Sequence, residues 1–393
     1  MRGKMGGDTI MPFSRGASPP GTTLAQPTAH CNPGRWAYML PAMDAETKWE
    51  DRHMPISVSV IVPFYNTGAK IEPTLRSLLA QDDGRMELIL VDDASTDETH
   101  GIARSTLEAC DTPWRILAHA RNRGVAAARN TGLDAARGRY VWFMDSDDIA
   151  GEGMAAALAS AASASGGAVA FCGYDTYEEN TGERQAYLTG EEPARLADAP
   201  DDLLAKCIVG AISPGIWAML FARSFLLDAG LRFTEGCVMG EDKEFIAKSL
   251  CRTEKVGFAP GCRYTHVIHD GMSSRSFDVS LERILRSTND NIDAHLRVAD
   301  YLERYARSDA VRDTAKYWMR PKYHLKRFNI HAWGSDRAAF DQALRDPDVR
   351  AVLLSSRRYL RKEPDIFFKT LFLLLFPGLY YHYRRKNVYG FRV

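Results

Sequence analysis

The chain has 393 residues, 45% of them hydrophobic and 25% charged, with 50 Lys and Arg against 50 Asp and Glu. These proportions exclude wholesale disorder and a collagen-like fibre, and a net charge of zero excludes a globally basic nucleic-acid binder. The zero is a sum of opposites: residues 301–393 hold 20 Lys and Arg against 9 Asp and Glu, about +11, and residues 1–300 hold 30 against 41, about −11. Such a split suits an acidic site for cations and a basic segment that meets an anionic surface. The seven cysteines are odd in number and lack CxxC spacing, which fits a reducing cytoplasm better than a disulfide framework or a structural zinc site.

Residues 1–53 lack the apolar core of a signal peptide and are rich in Gly, Pro, Ser and Thr, so the sequence predicts a mostly disordered extension with the functional start near Met54. The β-branched run SVSVIV (57–62) stops at Pro63 and opens into Phe64-Tyr65-Asn66-Thr67-Gly68, the turn expected after a buried strand. Ile71, Leu75, Leu78 and Leu79 then recur at helical spacing, and a second strand, 87–91, runs into Asp92-Asp93. A helix over 98–109, a strand over 114–118, a helix over 124–136 and a strand over 139–144 follow, the last running into Asp145-Ser146-Asp147-Asp148. This repeated β-α-β pattern predicts a parallel sheet, and ligands bind beyond the carboxyl ends of such strands, so both acidic clusters are expected in one crevice.

Beyond it, 151–165 reads as helix, 168–174 as strand, 175–202 as acidic loop, 216–227 as a strand-to-helix unit and 241–250 as helix. Helices dominate 279–330. Residues 366–381 are strongly apolar but broken by Lys369 and Pro377-Gly378, and a spanning helix needs about 20 apolar residues. With Arg384-Arg385-Lys386 beside it, the segment reads as an anchor lying in the interface of an anionic leaflet, the alternative being a helix packed on protein.

Carboxylates after consecutive strands suit a nucleotide with a hard divalent cation, since Mg²⁺ and Mn²⁺ prefer oxygen ligands and keep substrate phosphates in their shell. Asp145 and Asp147 crowd together directly after an apolar strand, where their charges repel without a cation; a structural cap by Asp147 or Asp148 is the plainer reading. Asn122-Arg123-Gly124 opens a helix that carries Arg129 one turn in, a start that can hold phosphate, although Arg129 can equally be a structural cation. No Walker or GxGxxG run is present, so dinucleotide and P-loop readings lose their support.

Together, VSVIVPFYNTG (58–68), ELILVDDASTDET (87–99), NRGVAAARNTGLDAARGRYVWFMDSDD (122–148) and GEDKEF (240–245) closely resemble the family-2 glycosyltransferases, over about residues 56–275. The resemblance implies an α/β GT-A fold: a mixed, mostly parallel, doubly wound sheet flanked by helices, here with a helical C-terminal extension. It implies boundaries of 1–53 for the extension, 54–275 for the catalytic domain, 276–363 for a helical region and 364–393 for the tail. It nominates Pro63, Tyr65, Asp92 and Asp93 for the nucleoside, Asn122, Gly124 and Arg129 for the diphosphate, and Asp145 and Asp147 for metal and ribose. His269 is a third metal ligand or phosphate contact in the same reading, and His266 is structural. Asp242 corresponds to the family's general base, although Glu241, Asp242 and Glu244 at a helix start also suit the macrodipole. Trp217 is expected either beside the acceptor or in the core.

The implied chemistry is inverting transfer of a sugar from a nucleotide sugar, with UDP as the family-weighted base and Mn²⁺ or Mg²⁺ as cofactor. The expected acceptor is a glycan or lipid-linked hydroxyl in cell-surface polysaccharide synthesis, at the cytoplasmic face of the membrane. The competing readings are a sugar nucleotidyltransferase and a non-catalytic scaffold; the first lacks its Gly-rich phosphate loop, and the intact carboxylates count against the second.

Overall fold

The first part of the fold alternates strands and helices: β1 (Ala45–Lys48), β2 (Val58–Phe64), α1 (Ile71–Leu79), β3 (Met86–Asp92), α2 (Thr99–Glu108), β4 (Trp114–Ala118), α3 (Val125–Ala135) and β5 (Tyr140–Phe143). Then come β6 (Ile149–Ala150), α4 (Met154–Ser165), β7 (Val169–Glu178), β8 (Arg184–Tyr187), α5 (Glu191–Ala197), α6 (Pro200–Val209), β9 (Met219–Ala222), α7 (Arg223–Asp228), α8 (Glu241–Arg252) and β10 (Val256–Ile268). The remainder is helical: α9 (Leu281–Tyr305), α10 (Asp309–Thr314), α11 (Arg320–Trp333), α12 (Arg337–Arg345), α13 (Pro347–Ser355), α14 (Pro364–Leu375) and α15 (Pro377–Lys386). This computed structural model describes residues 45–48, 56–270, 280–361, 363–388 and 391–392.

Every residue of β2 and β3 is buried, which is why both read as unbroken apolar runs rather than as alternating strands. The sheet order is β1-β4-β3-β2-β5-β9-β7-β10-β6, with β8 on β7; β4-β3-β2-β5 pair in parallel, and β9 enters antiparallel. Chain order reverses direction at β2, so the crevice of a doubly wound sheet opens beyond the carboxyl ends of β3, β2 and β5. Successive residues of β2 face opposite layers: Val60 and Val62 pack with Leu75, Leu78 and Leu107, while Ile61 packs with Leu133 and the C-terminal helices. Gly132 makes the second layer possible, because a Cβ there would lie 2.3 Å from Cγ2 of Ile61.

After β10, α9 shares that core, and α11 to α15 build a smaller one of their own around Phe328, Phe340, Leu353, Leu373 and Tyr380. Ile292, Val298 and Leu302 of α9 belong to the same apolar cluster as Phe143 and Phe245. Buried Glu244 on α8 accepts from Arg297 Nη2 at 2.7 Å and from Lys248 Nζ at 2.5 Å. Burial alone would raise its pKa, but these bonds outweigh burial and hold it below the ordinary carboxylate range. Arg320 bridges to Asp300 and Glu303, and Arg327 to Asp293, so α11 is fixed along α9.

Of the extension expected to be mostly disordered, Ala45–Lys48 forms an edge strand antiparallel to β4, and its other residues lie outside those described. One expectation changes. Residues 175–202 are not loop: β7 continues to Glu178 and turns through Gly182 into β8, and Pro200 with Asp201 and Asp202 starts α6 as good first-turn residues do. The apolar tail folds into two helices whose inner residues, Ile366, Thr370, Leu373, Tyr380 and Tyr381, are buried, with Tyr380 Oη donating to Asn329 Oδ1 at 2.8 Å. Among the described residues no helix is long and apolar enough to cross a membrane.

Removing Arg297 leaves Glu244 buried with half its cationic partners. Arg297→Ala is therefore expected to lower the free energy of unfolding by about 2–4 kcal/mol in chemical denaturation, and an unchanged midpoint would refute the tie between α8 and α9.

Candidate active site

The loops at the strand ends are built by short polar contacts. Asn66, held at φ +49, accepts from Thr96 N–H at 2.8 Å and donates its own N–H to Ser95 Oγ at 3.2 Å, joining the loop after β2 to the one after β3. Thr67 Oγ1 and Ser146 Oγ lie 2.9 Å apart, joining it to the loop after β5. The expected common crevice is thus formed, with exposed Tyr65 at its rim and buried Pro63 beneath.

Asp92 and Asp93 are both spoken for within the chain. Asp92 accepts from Ser95 N–H at 2.7 Å and pairs with His100 Nδ1 at 2.8 Å. Asp93 accepts from His119 Nδ1 at 2.6 Å, Arg123 N–H at 2.9 Å and Gly124 N–H at 2.7 Å. Burial opposes its charge, yet these bonds outweigh burial and hold its pKa below the ordinary value. Asp93 therefore fixes the turn that starts α3, where Gly124 sits at φ +88 and Asn122 is exposed.

Arg129 is buried rather than presented to solvent. Its Nη2 donates to Asp145 Oδ1 at 2.9 Å, its Nη1 to Glu241 Oε1 at 3.2 Å, and its guanidinium carbon stands 5.3 Å from the centre of the Phe233 ring. Burial alone would lower its pKa, but Asp145, Glu241 and Asp242 raise it, so it stays a cation. Arg129, nominated for the diphosphate, here clamps the strand-end carboxylate to α8. Asn130 holds the same segment in place, exchanging hydrogen bonds with the backbone of Phe233 at 3.0 Å.

Asp147 Oδ2 lies 3.0 Å from His269 Nε2. Burial first, and then the charge of Asp145, raise the Asp147 carboxyl above its ordinary range in spite of that bond. Among the described residues no three His, Cys, Asp or Glu side chains stand as a group that could hold a metal ion; of Asp145, Asp147 and His269, Asp145 turns to Arg129. The remaining carboxylate and imidazole fit a hard divalent cation that takes two protein donors and completes its shell with phosphate oxygens.

Asp148 was weighed only as a cap, yet it is the structural root of this loop. Fully buried, it accepts from Tyr264 Oη at 2.5 Å, from Val267 N–H at 2.7 Å and from His266 Nδ1 at 3.0 Å. Trp217 stacks on Tyr264 at 4.2 Å, within the aromatic core, and its carbonyl accepts from Trp142 Nε1 at 2.6 Å. The signal was available: Tyr264 and His266, two apart on a strand, share one face.

At the start of α8, Gly240 has φ +95, and a Cβ there would meet the Ala294 Cβ at 3.0 Å. The chain turns there so that Glu241 points to Arg129, while half-buried Asp242 accepts only its neighbour's N–H, Lys243 to Oδ1 at 2.7 Å, among the described residues. A half-buried carboxylate whose second oxygen takes no hydrogen bond among the described residues is suited to general-base chemistry.

The family model "Glycosyl transferase family 2" matches residues 59–222. The succinoglycan biosynthesis protein ExoO of Rhizobium meliloti (strain 1021) is 30% identical over 256 residues, covering 63% of this chain and 69% of the relative. YibD of Escherichia coli (strain K12), an uncharacterized glycosyltransferase, is 25% identical over 272 residues, 68% of this chain and 75% of the relative. The crystal structure of S. aureus TarS residues 1–349 in complex with UDP-GlcNAc superposes with a TM-score of 0.57 at 20% identity, over 85% of this chain and 95% of that one. The chain belongs to glycosyltransferase family 2, and its fold is GT-A.

The depressed pKa of Asp93 sets a pH dependence. The unfolded chain takes up a proton near the ordinary value of 3.8 and the folded chain only below it, so the stabilisation is complete above that value and is lost as pH falls through the lower folded one. Asp93→Asn should therefore be less stable than the parent at pH 6, with the gap narrowing below about pH 4 in paired thermal melts; a gap independent of pH would contradict the assignment.

Proposed function

We propose that this protein is an inverting glycosyltransferase that moves a sugar from a nucleoside diphosphate sugar to a hydroxyl of a glycan or lipid-linked acceptor in polysaccharide synthesis. One observation carries the reading: Arg129 joins the strand-end carboxylate Asp145 to Glu241, the neighbour of Asp242 at the start of α8, while Asp147 in the same strand-end loop pairs with His269. The resemblance favours UDP as the donor nucleotide, and the succinoglycan role in the name of ExoO supports a polysaccharide product.

The donor's nucleoside would lie along Pro63, Tyr65 and the Asp92–Asp93 turn, with its diphosphate toward Asn122 and Gly124. Asp242 takes the proton of the acceptor hydroxyl as that oxygen attacks the anomeric carbon, and the bond to the diphosphate breaks on the opposite face, inverting the centre. Base assistance of this kind is worth about 10²–10⁴-fold. Mn²⁺ or Mg²⁺, when held by Asp147 and His269, supplies positive charge toward the diphosphate. Arg129 holds Asp145 and Glu241 in place, so the site needs little reorganisation as charge develops.

The tail supports a peripheral position at the inner face of the membrane. Phe368, Leu371 and Leu375 on α14, then Phe376, Leu379 and Tyr383, form an exposed apolar stripe, with Phe368 and Leu379 each 60% exposed, and Arg384, Arg385 and Lys386 end α15. An amphipathic face flanked by cations binds anionic interfaces by burying apolar area and by charge.

Asp242→Asn is expected to cut transfer at least a hundredfold while nucleotide binding persists, in an assay of released nucleoside diphosphate across a panel of nucleotide sugars with Mn²⁺; near-parent turnover would place the base elsewhere. For the tail, Leu375→Glu with Leu379→Glu should move the protein from floating anionic vesicles to the soluble fraction. Unaltered flotation would assign the stripe to another role.

A further inference from the structure

A second cavity, of about 310 Å³, lies between α6, α8, α9 and α11. Its deeper wall is apolar, with Ile208, Val298 and Met319, and its cationic wall is Lys243 of α8 with Lys322 and Lys326 of α11. Among the described residues none of the three lysines forms an ion pair. Lys322 Nζ instead lies 3.9 Å from the centre of the Trp318 ring, and Lys326 Nζ 4.7 Å from that of Tyr323. Burial, and then the charge of Lys326, lower the pKa of Lys322 in spite of Glu363, and burial, and then the charge of Lys243, lower that of Lys326. The one carboxylate on the wall, Glu244, is already engaged by Lys248 and Arg297.

Three lysines without an ion pair, Lys243 and Lys326 exposed and Lys322 half-buried, make one wall of a partly apolar hollow cationic, a surface that an anion would complement. The local backbone is also unusual. Pro321 has no N–H to give, and the helix opens into a π turn over Ala315–Met319 directly before it, which sets Met319, Lys322 and Tyr323 on the cavity wall. His295 closes the floor: its Nδ1 donates to the Asn291 carbonyl at 2.7 Å, its ring stacks on Tyr323 at 4.1 Å, and burial pushes its pKa down to about 4, leaving it neutral.

Position ties the cavity to the site already described. Gly240 and Lys243 line it, and Asp242 stands between them in sequence at the start of α8. Two turns further along the same face of α11, Asn329 accepts from Tyr380 and Trp333 lies beneath Arg384, so α14 and α15 with their apolar stripe pack on the helix that bears Lys322 and Lys326. We propose that this cavity holds the phosphate or diphosphate of a phosphate-bearing acceptor between Lys243, Lys322 and Lys326, and so presents the acceptor's sugar hydroxyl to Asp242. The inference rests on the transferase reading and names its acceptor class. The phosphate can come from a prenyl-linked carrier, whose chain would follow the apolar wall, or from a phosphate carried on the glycan.

Calorimetric titration of the full chain, with EDTA present, tests it with three probes: geranyl diphosphate below its micelle concentration, glycerol 3-phosphate, and neutral octyl glucoside. The parent should bind geranyl diphosphate, Lys322→Glu with Lys326→Glu should weaken that binding at least tenfold, and Asp147→Ala should leave it unchanged. Tighter binding of geranyl diphosphate than of glycerol 3-phosphate assigns a lipid carrier, and equal binding assigns a glycan phosphate. No binding of either phosphate by the parent, unchanged binding in the lysine variant, equal binding of octyl glucoside, or loss in Asp147→Ala would each overturn the proposal. UDP and GDP titrated with Mn²⁺ keep the two readings apart. Nucleotide binding retained in the lysine variant shows that it is folded, and absence of nucleotide binding in the parent would sink the transferase reading rather than the lysine site. Lys243→Gln, at the exposed end of α8, should weaken phosphate binding in the same direction and guards against misfolding of the double variant.

Discussion

The buried guanidinium of Arg129 is the interaction on which the site depends. Carboxylates from the end of β5 and the start of α8 converge on Arg129, and without that cation between them Asp145, Glu241 and Asp242 would repel each other. Arg129 is delivered there by α3, one turn after a glycine start that Asp93 holds by two backbone N–H bonds. One fixed charge thus links a helix, a strand end and the helix bearing the proposed base. Breaking a buried ion pair by removing one partner costs about 3–5 kcal/mol, which explains why the arrangement is held so firmly from both sides.

The same logic recurs around the crevice. Each loop that must be immobile is tied by a buried acid to histidine or backbone donors: Asp93 to His119, Asp148 to His266 and Tyr264. The acids left less constrained are Asp147 and Asp242, the two assigned to cation and acceptor. Stability and chemistry therefore divide the carboxylates between them, and the division follows burial: Asp148 is fully buried, whereas Asp242 is half-buried.

Much of this was legible from sequence because the parallel strands are apolar on both faces and end in acids, a pattern that local composition reveals. The helices of 71–79, 99–108 and 125–135 fall where spacing puts them. What sequence missed depends on contacts between distant segments. Nothing near Arg129 signals that Glu241, 112 residues later, will take up its charge. The stretch 175–202 looked like loop because its acids hide a hairpin, in which Tyr174 stacks on Tyr187 at 5.0 Å, and a helix that begins at Pro200. Nothing in the sequence marks Lys243 of α8 and Lys322 and Lys326 of α11 as neighbours; tertiary packing brings them to one cavity.

Spectra of the protein with ¹⁵N-labelled histidine, titrated with substoichiometric Mn²⁺ in the presence and absence of a nucleoside diphosphate, test the central claim most directly. If Asp147 and His269 hold a cation that shares its shell with the donor's phosphates, paramagnetic broadening should strike His269 first and deepen when the nucleotide is added, while His295 stays sharp. Broadening that ignores the nucleotide, or that spares His269, would contradict the account.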